Sequence, residues 1–293
     1  MRNEQEMMDL ILHTAIADER IRAVWMNGSR ADANAPRDRM QDYDIVYAVT
    51  DIESFRQNPA WIDRFGSRTM MQEPDQLDHA RGWKTDMERS YMYLMLFDDG
   101  NRLDLRLLAV SAAPAEALAD SLTVPLLDKD GLLPGIPPSS DKDYWEQRPT
   151  APQFDAACNE FWWCLQNVAK GIWRDELPYA KKIFEEIVRA PLDDMTAWYI
   201  GMESGFQRSA GKMGKYFKKY LPADCWMLYE QTYADSQGDN MWQALFTACE
   251  LFRLLATEVA KKFGFSYPHE ADQNMTKFLQ SIRQLPREAK EML

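Results

Sequence analysis

A chain of 293 residues with 46% apolar side chains is long enough for one large core or two ordinary ones, which excludes general disorder. Its 46 acidic against 34 basic side chains leave a formal net charge of −12, which repels phosphate backbones, sets nucleic acid aside as a partner and favours a cationic ligand. No run of roughly 18 apolar residues offers a membrane span, and the start, MRNEQEMMDL, is acidic where a signal peptide needs a basic start, so a cytoplasmic protein is expected.

In chain order, Met8, Ile11, Leu12 and Ala15 recur at helical spacing and predict an opening helix. Residues 21–27 read as a strand that runs into Gly28, Ser29 and Arg30, and residues 44–50 (DIVYAVT) form a β-branched, aromatic run of strand type. Residues 72–90 are charged, contain Pro74 and Gly82 and lack periodicity, which predicts a surface loop. Two further strands, 91–97 and 102–108, flank Asp98, Asp99, Gly100 and Asn101; glycine and asparagine tolerate the positive φ of a tight hairpin turn. The stretch 131–140 (GLLPGIPPSS) is dense in proline and glycine and reads as a linker.

Beyond it the pattern turns helical. Cys158, Phe161, Leu165, Val168 and Ile172 step by three and four, as do Met195, Tyr199, Met202 and Phe206, and Leu245, Cys249, Phe252, Ala256 and Val259. The expected fold is α+β: residues 1–135 as a mixed β-sheet flanked by helices, and 136–293 as a C-terminal α-helical bundle. The four cysteines, Cys158, Cys164, Cys225 and Cys249, form no C-x-x-C pair and read as buried side chains in a reducing compartment; with three scattered histidines a zinc site has no support.

The chemistry lies in a constellation. Gly28 and Ser29 follow a strand, where a glycine lets backbone N–H groups and a serine hydroxyl approach a phosphate. Asp42 and Asp44 enter the next strand two apart, on the same side of it. Asp104 stands inside the apolar strand LDLRLL, where an uncompensated carboxylate is costly. An Asp-x-Asp pair alone says little, since a chain this acidic holds about seven acidic pairs at that spacing by chance. The three parts together are far rarer. Two unit charges about 4 Å apart repel by roughly 4 kcal/mol at an effective dielectric near 20, so three converging aspartates need cations. Mg²⁺ fits, because it takes oxygen ligands and bridges carboxylates to substrate phosphates; two ions would stabilise both the attacking and the leaving oxygen.

These residues resemble the signature of the DNA polymerase β-like nucleotidyltransferase superfamily. The likeness extends through MRNEQEMMDLIL, NGSRADANAPRD, QDYDIVYAV, MYLMLFDDGNRLDLRLL, CNEFWW, GMESGFQRSAGK and MWQALFTACELFR, over nearly the whole chain, to the aminoglycoside 6-adenylyltransferases. The resemblance implies transfer of AMP from ATP to streptomycin with release of pyrophosphate. It implies Asp42 and Asp44 as the metal-binding pair, Asp104 as the third carboxylate and candidate base, and Gly28, Ser29 and Arg30 as holders of the triphosphate. Glu88 or a carboxylate of the helical domain is the alternative base.

In the helical domain Lys212 and Lys215 are candidates to steady the phosphates as point charges, against a solvated basic end of a helix beside Lys218 and Lys219. A P-loop is excluded there: the spacer between Gly205 and Gly211 is one residue too long, and Met213 stands where Ser or Thr is required. Streptomycin carries guanidinium groups, so an acidic and aromatic pocket is expected, with Glu160, Trp163 and Glu203 as acceptor contacts and Asn167 and Glu250 beside them. The competing readings are another aminoglycoside or small-molecule acceptor, and a non-catalytic nucleotide-binding sensor; the intact aspartate trio argues against the sensor.

Overall fold

The computed structural model describes residues 1–133 and 135–289. Its contacts divide the chain into two compact units, Met1–Asp143 and Tyr144–Leu293. The boundary falls beyond the expected end at residue 135 because the proline- and glycine-rich stretch is bound to the first unit. Leu133 is buried there, Ser139 Oγ donates to the Ala31 carbonyl at 2.6 Å, and Ser140 N to the Ser121 carbonyl at 2.9 Å.

The first unit opens with helix α1 (Glu4–Ala17). Asn3 and Glu6 close a capping box, each side chain accepting from the other's backbone N–H, so two end donors that the helix cannot satisfy are paired. The helix buries Met7, Ile11 and Ala15, a stripe turned slightly from the Met8 and Leu12 register that spacing suggests. Then follow β1 (Ile21–Asn27), β2 (Tyr43–Val49), α2 (Glu53–Arg56), β3 (Arg68–Gln72), α3 (Pro74–Ala80), β4 (Ser90–Phe97), β5 (Arg102–Ala109), α4 (Ala113–Leu118) and β6 (Val124–Asp128). The six strands form one mixed sheet in the order β3-β4-β5-β2-β1-β6, with β2 and β5 parallel and every other pair antiparallel.

Alternation along the central strands decides what each face does. Tyr43, Ile45 and Tyr47 of β2 and Leu103, Leu105 and Leu107 of β5 are buried in one cluster with α1 and the aromatic turn that holds Trp61 and Phe65. On the opposite face Val46, Ala48 and Leu108 form a smaller cluster with Trp25 and the alanines of α4. The carboxylates of Asp44 and Asp104 share that second face, just beyond the smaller cluster.

Residues 72–90 are not the loop expected. Their start belongs to β3 and Pro74–Ala80 is helical, yet α3 buries no residue, so no apolar stripe announces it. It is held instead by polar ties: Met92 N donates to Asp75 Oδ2 at 2.8 Å and Tyr91 OH to Glu73 Oε2 at 2.6 Å. Strand β6 carries Pro125, which sequence patterns do not read as a strand and which an edge position tolerates.

The second unit is helical: α5 (Ala151–Trp173), α6 (Leu177–Lys182), α7 (Arg189–Glu203), α8 (Phe217–Tyr220), α9 (Ala223–Gln231), α10 (Gly238–Phe263) and α11 (His269–Gln284). Thr150 and Gln153 cap α5 reciprocally. The stripes expected on α5 and α10 are buried throughout and meet, with the rings of Phe161 and Phe252 stacked 3.9 Å apart. The third stripe is weaker: Met195 is buried, Tyr199 and Met202 are half-buried, and Phe206 lies past the end of α7 at φ 57°. All four cysteines are buried and unbridged; burial pushes the Cys164 thiol up to about 11 and the Cys158 thiol up to about 12. No helix among the described residues is long and apolar enough to cross a membrane.

Candidate active site

Parallel pairing of β2 with β5 puts Asp44 directly beside Asp104, and antiparallel pairing of β1 with β2 puts Asn27 on the other side of Asp44. Adjacent partners in a sheet present their side chains to the same face. Asp42, two residues before Asp44, approaches that face from the loop that leads into β2. The sheet register thus brings together three carboxylates that lie 62 positions apart in sequence at their extremes (42 to 104).

Gly28 follows β1 with φ 70°, in the region that glycine enters freely, and begins a short 3₁₀ turn through Ser29 and Arg30. A Cβ at this position would stand 2.0 Å from Asp44 Oδ2. The glycine therefore leaves room for the Asp44 carboxylate. Gln41 Nε2 reaches both the carbonyl and the hydroxyl oxygen of Ser29 at 3.3 Å, tying the turn to the loop ahead of Asp42.

Arg30, expected to hold a triphosphate, is turned inward. It is 8% exposed; Nε donates to the Asp42 carbonyl and Nη2 to the Gln41 carbonyl, both at 3.0 Å, and the guanidinium lies 3.8 Å over the Tyr43 ring. Glu4 of α1 pairs with it at 3.3 Å. Its donors are spent on fixing the backbone that carries Asp42, so the structure gives it a positioning task.

Arg102 was missed in the sequence. Its guanidinium grips Asp104 in a two-point fork, Nε to Oδ1 at 2.8 Å and Nη2 to Oδ2 at 2.7 Å, and its Nη1 stands 3.4 Å from Asp42 Oδ2. The available signal was its spacing: residues 102 and 104 lie two apart on one strand and so share a face. Burial and the negative charge of Asp104 push the Asp42 carboxyl above the usual carboxylate range, against the pull of Arg102 and Arg30. Among the described residues no three acidic, histidine or cysteine groups are drawn around a single point as a ready metal cage. A cation nevertheless already stands between Asp42 and Asp104, in the form of the Arg102 guanidinium, and oxygen donors are what Mg²⁺ requires. The donor chemistry of the carboxylates suits Mg²⁺.

Beside these groups a cavity of about 550 Å³ opens, with Asp42 and Arg102 on one side and Leu94, Leu96 and Met70 as an apolar wall. Glu88, the alternative base, is not near. It precedes β4, whose first residue Ser90 pairs with Leu108, whereas Asp104 pairs with Leu94. Four strand residues separate the two positions on β5, about 13 Å at 3.3 Å per residue.

The remaining predicted contacts lie in the second unit. Glu160 and Trp163 are on the exposed side of α5, where Glu160 Oε1 accepts from Cys164 Sγ at 3.4 Å and Trp163 is 62% exposed. Trp163 borders a groove of about 540 Å³ that also has Asp155, Asn159 and Phe278 in its walls. Asn167 is half-buried on α5; Glu203, the last residue of α7, and Glu250 on α10 are exposed. Lys212 and Lys215 are exposed in a tight turn that follows Gly211, and Lys215 Nζ lies 5.1 Å over the Tyr216 ring.

With this geometry in place, comparison with known proteins is decisive. The family model described as "Streptomycin adenylyltransferase" matches residues 1–282. The chain belongs to this adenylyltransferase family. It is 41% identical over 283 residues to the aminoglycoside 6-adenylyltransferase of Bacillus subtilis (strain 168), covering 96% of this chain and 98% of that one. It is 38% identical over 268 residues to that of Campylobacter jejuni, covering 92% of each, and 31% identical over 282 residues to that of Staphylococcus aureus, covering 96% and 99%. Among solved structures, the crystal structure of an aminoglycoside 6-adenyltransferase from Bacillus subtilis is 38% identical and covers 97% and 99%, with a TM-score of 0.47. As a member of this family the chain is a nucleotidyltransferase.

Proposed function

We propose that this adenylyltransferase moves AMP from Mg²⁺-bound ATP to a hydroxyl of an aminoglycoside, streptomycin at position 6, and releases pyrophosphate. The observation that carries the reading is the in-register pairing of Asp44 with Asp104, with Asp42 on the same face and Gly28 against Asp44, in a chain that matches a relative over 96% of its length. Asp42, Asp44 and Asp104 would hold the metal, which would supply positive charge against the negative charge that develops on the phosphoryl group.

The chain's own residues do the rest. The Gly28 turn lets backbone N–H groups and the Ser29 hydroxyl reach a phosphate. Asp104 accepts the proton of the acceptor hydroxyl as it attacks the α-phosphorus; the bond from that phosphorus to the bridging oxygen breaks, and pyrophosphate leaves with the electron pair. Lys212 and Lys215 steady the β- and γ-phosphates as mobile point charges. The net charge of −12 attracts a polycationic drug, and Glu160, Trp163 and Glu203 receive its guanidinium groups by charge and aromatic contact. The cytoplasm is the compartment that suits four buried thiols and a supply of ATP.

The test is the variant Asp44→Asn, assayed for pyrophosphate release with ATP, Mg²⁺ and streptomycin. Turnover is expected to vanish with an unchanged circular dichroism spectrum; near-normal turnover would remove the metal role of the trio. Replacing streptomycin with other aminoglycosides decides the acceptor, since the curated relatives are named for aminoglycosides and position 6 and the family model for streptomycin.

A further inference from the structure

Arg102 occupies both oxygens of Asp104 through two parallel N–H···O contacts and reaches Asp42 with its third nitrogen. Asp104 is only 15% exposed, so few directions of approach to its oxygens remain. A divalent cation needs those lone pairs at about 2.1 Å. The guanidinium and a metal ion therefore cannot hold Asp104 in the same way at the same time. Arg102 has room to leave, being 45% exposed and bordering the 550 Å³ cavity beside Asp42. Without a cation the three aspartates would repel one another on one sheet face.

We infer that Arg102 is a built-in counter-ion: it neutralises the carboxylates while no metal is bound and is displaced when the metal arrives. This rests on the metal-site reading of Asp42, Asp44 and Asp104. Arg102 then acts as a positioning residue that keeps Asp104 and Asp42 aimed at a common point and sets the metal affinity by competing for it. An exposed ion pair with no such role would fit the same two contacts but would not couple to metal binding.

The experiment is a Mn²⁺ titration of the full chain without nucleotide, followed by electron paramagnetic resonance, for wild type, Arg102→Gln, Arg102→Lys and Asp44→Asn. Removing the competitor is expected to tighten Mn²⁺ binding about tenfold in Arg102→Gln, a coupling of ordinary size. Arg102→Lys, a point charge that cannot form the fork, is expected to fall between the two. In a parallel thermal melt, Arg102→Gln is expected to unfold at a lower temperature than wild type in EDTA, and saturating Mg²⁺ is expected to close that gap. Equal Mn²⁺ affinity in wild type and Arg102→Gln, with the same melting gap in EDTA and in Mg²⁺, would overturn the counter-ion role and leave Arg102 a structural tie. If wild type binds no Mn²⁺ that Asp44→Asn removes, the metal-site reading itself falls and the inference falls with it.

Discussion

The carboxylate of Asp44 stands where a side chain at position 28 would be, and Gly28 also holds a φ of 70°. Gly28→Ala therefore strains the backbone and displaces the carboxylate at once. The expected result is a stability loss of about 1–3 kcal/mol from the left-handed backbone, with turnover reduced about a hundredfold because a shift near 1 Å suffices for that. Steady-state kinetics alongside chemical denaturation separates the two effects. A second residue-scale expectation concerns Asp193 on α7, whose carboxyl burial pushes up to about 6, against a hydrogen bond from Tyr229 OH at 2.8 Å. Its folded pKa lies above its unfolded one of about 3.9, so the fold binds the proton more tightly, and stability falls as pH rises from about 4 to 6. Asp193→Asn should remove its share of that slope, on the order of 1–2 kcal/mol after solvent screening, and leave the shares of Asp194 and Asp42, whose carboxyls burial also raises. Asp99 and Asp18, held low by Arg2 and Arg20, act below this window and do not mask it. Unfolding midpoints measured between pH 4 and 7 check it, and a slope undiminished in the variant would place its source elsewhere.

At the scale of elements, legibility followed burial. Strands β1, β2, β4 and β5 bury regular stripes, so their spacing betrays them within a residue, while on α5 and α10 the buried stripe marks the helix but not its ends, which lie up to seven residues beyond it. Helix α3 and strand β3 bury almost nothing, and β6 contains a proline, so periodicity had no purchase on them. In the site, the Asp-x-Asp pair and Gly28 were visible as local patterns. The partnership of Asp44 with Asp104 depends on a parallel strand pairing that no local pattern encodes, and resemblance to a family stood in for it. The inward turn of Arg30 and the grip of Arg102 on Asp104 are side-chain directions, which composition does not carry. The contact that joins α5 to α10 gives the sharpest element-scale expectation. Phe161→Ala removes one ring of the stack with Phe252 and should cost about 3–5 kcal/mol by equilibrium unfolding. A cost below about 1 kcal/mol would mean that the helical core collapses around the gap.

For the whole molecule, charge and recognition are linked. A chain at −12 facing a polycationic drug gathers it over distances of about a Debye length, near 10 Å at 0.1 M salt. Drug affinity measured by calorimetry should fall as salt rises, while affinity that is flat with salt would count against an acidic acceptor pocket. The two-unit division leaves Asp42, Asp44 and Asp104 in Met1–Asp143 and Glu160, Trp163 and Glu203 in Tyr144–Leu293.

The most direct test is pyrophosphate release by the purified chain with ATP and Mg²⁺ against a panel of aminoglycosides, with mass spectrometry of the drug. The account predicts release with streptomycin and a mass gain of one AMP on it. Silence with every drug, while ATP still binds, would contradict the transfer and return the chain to a nucleotide-binding role.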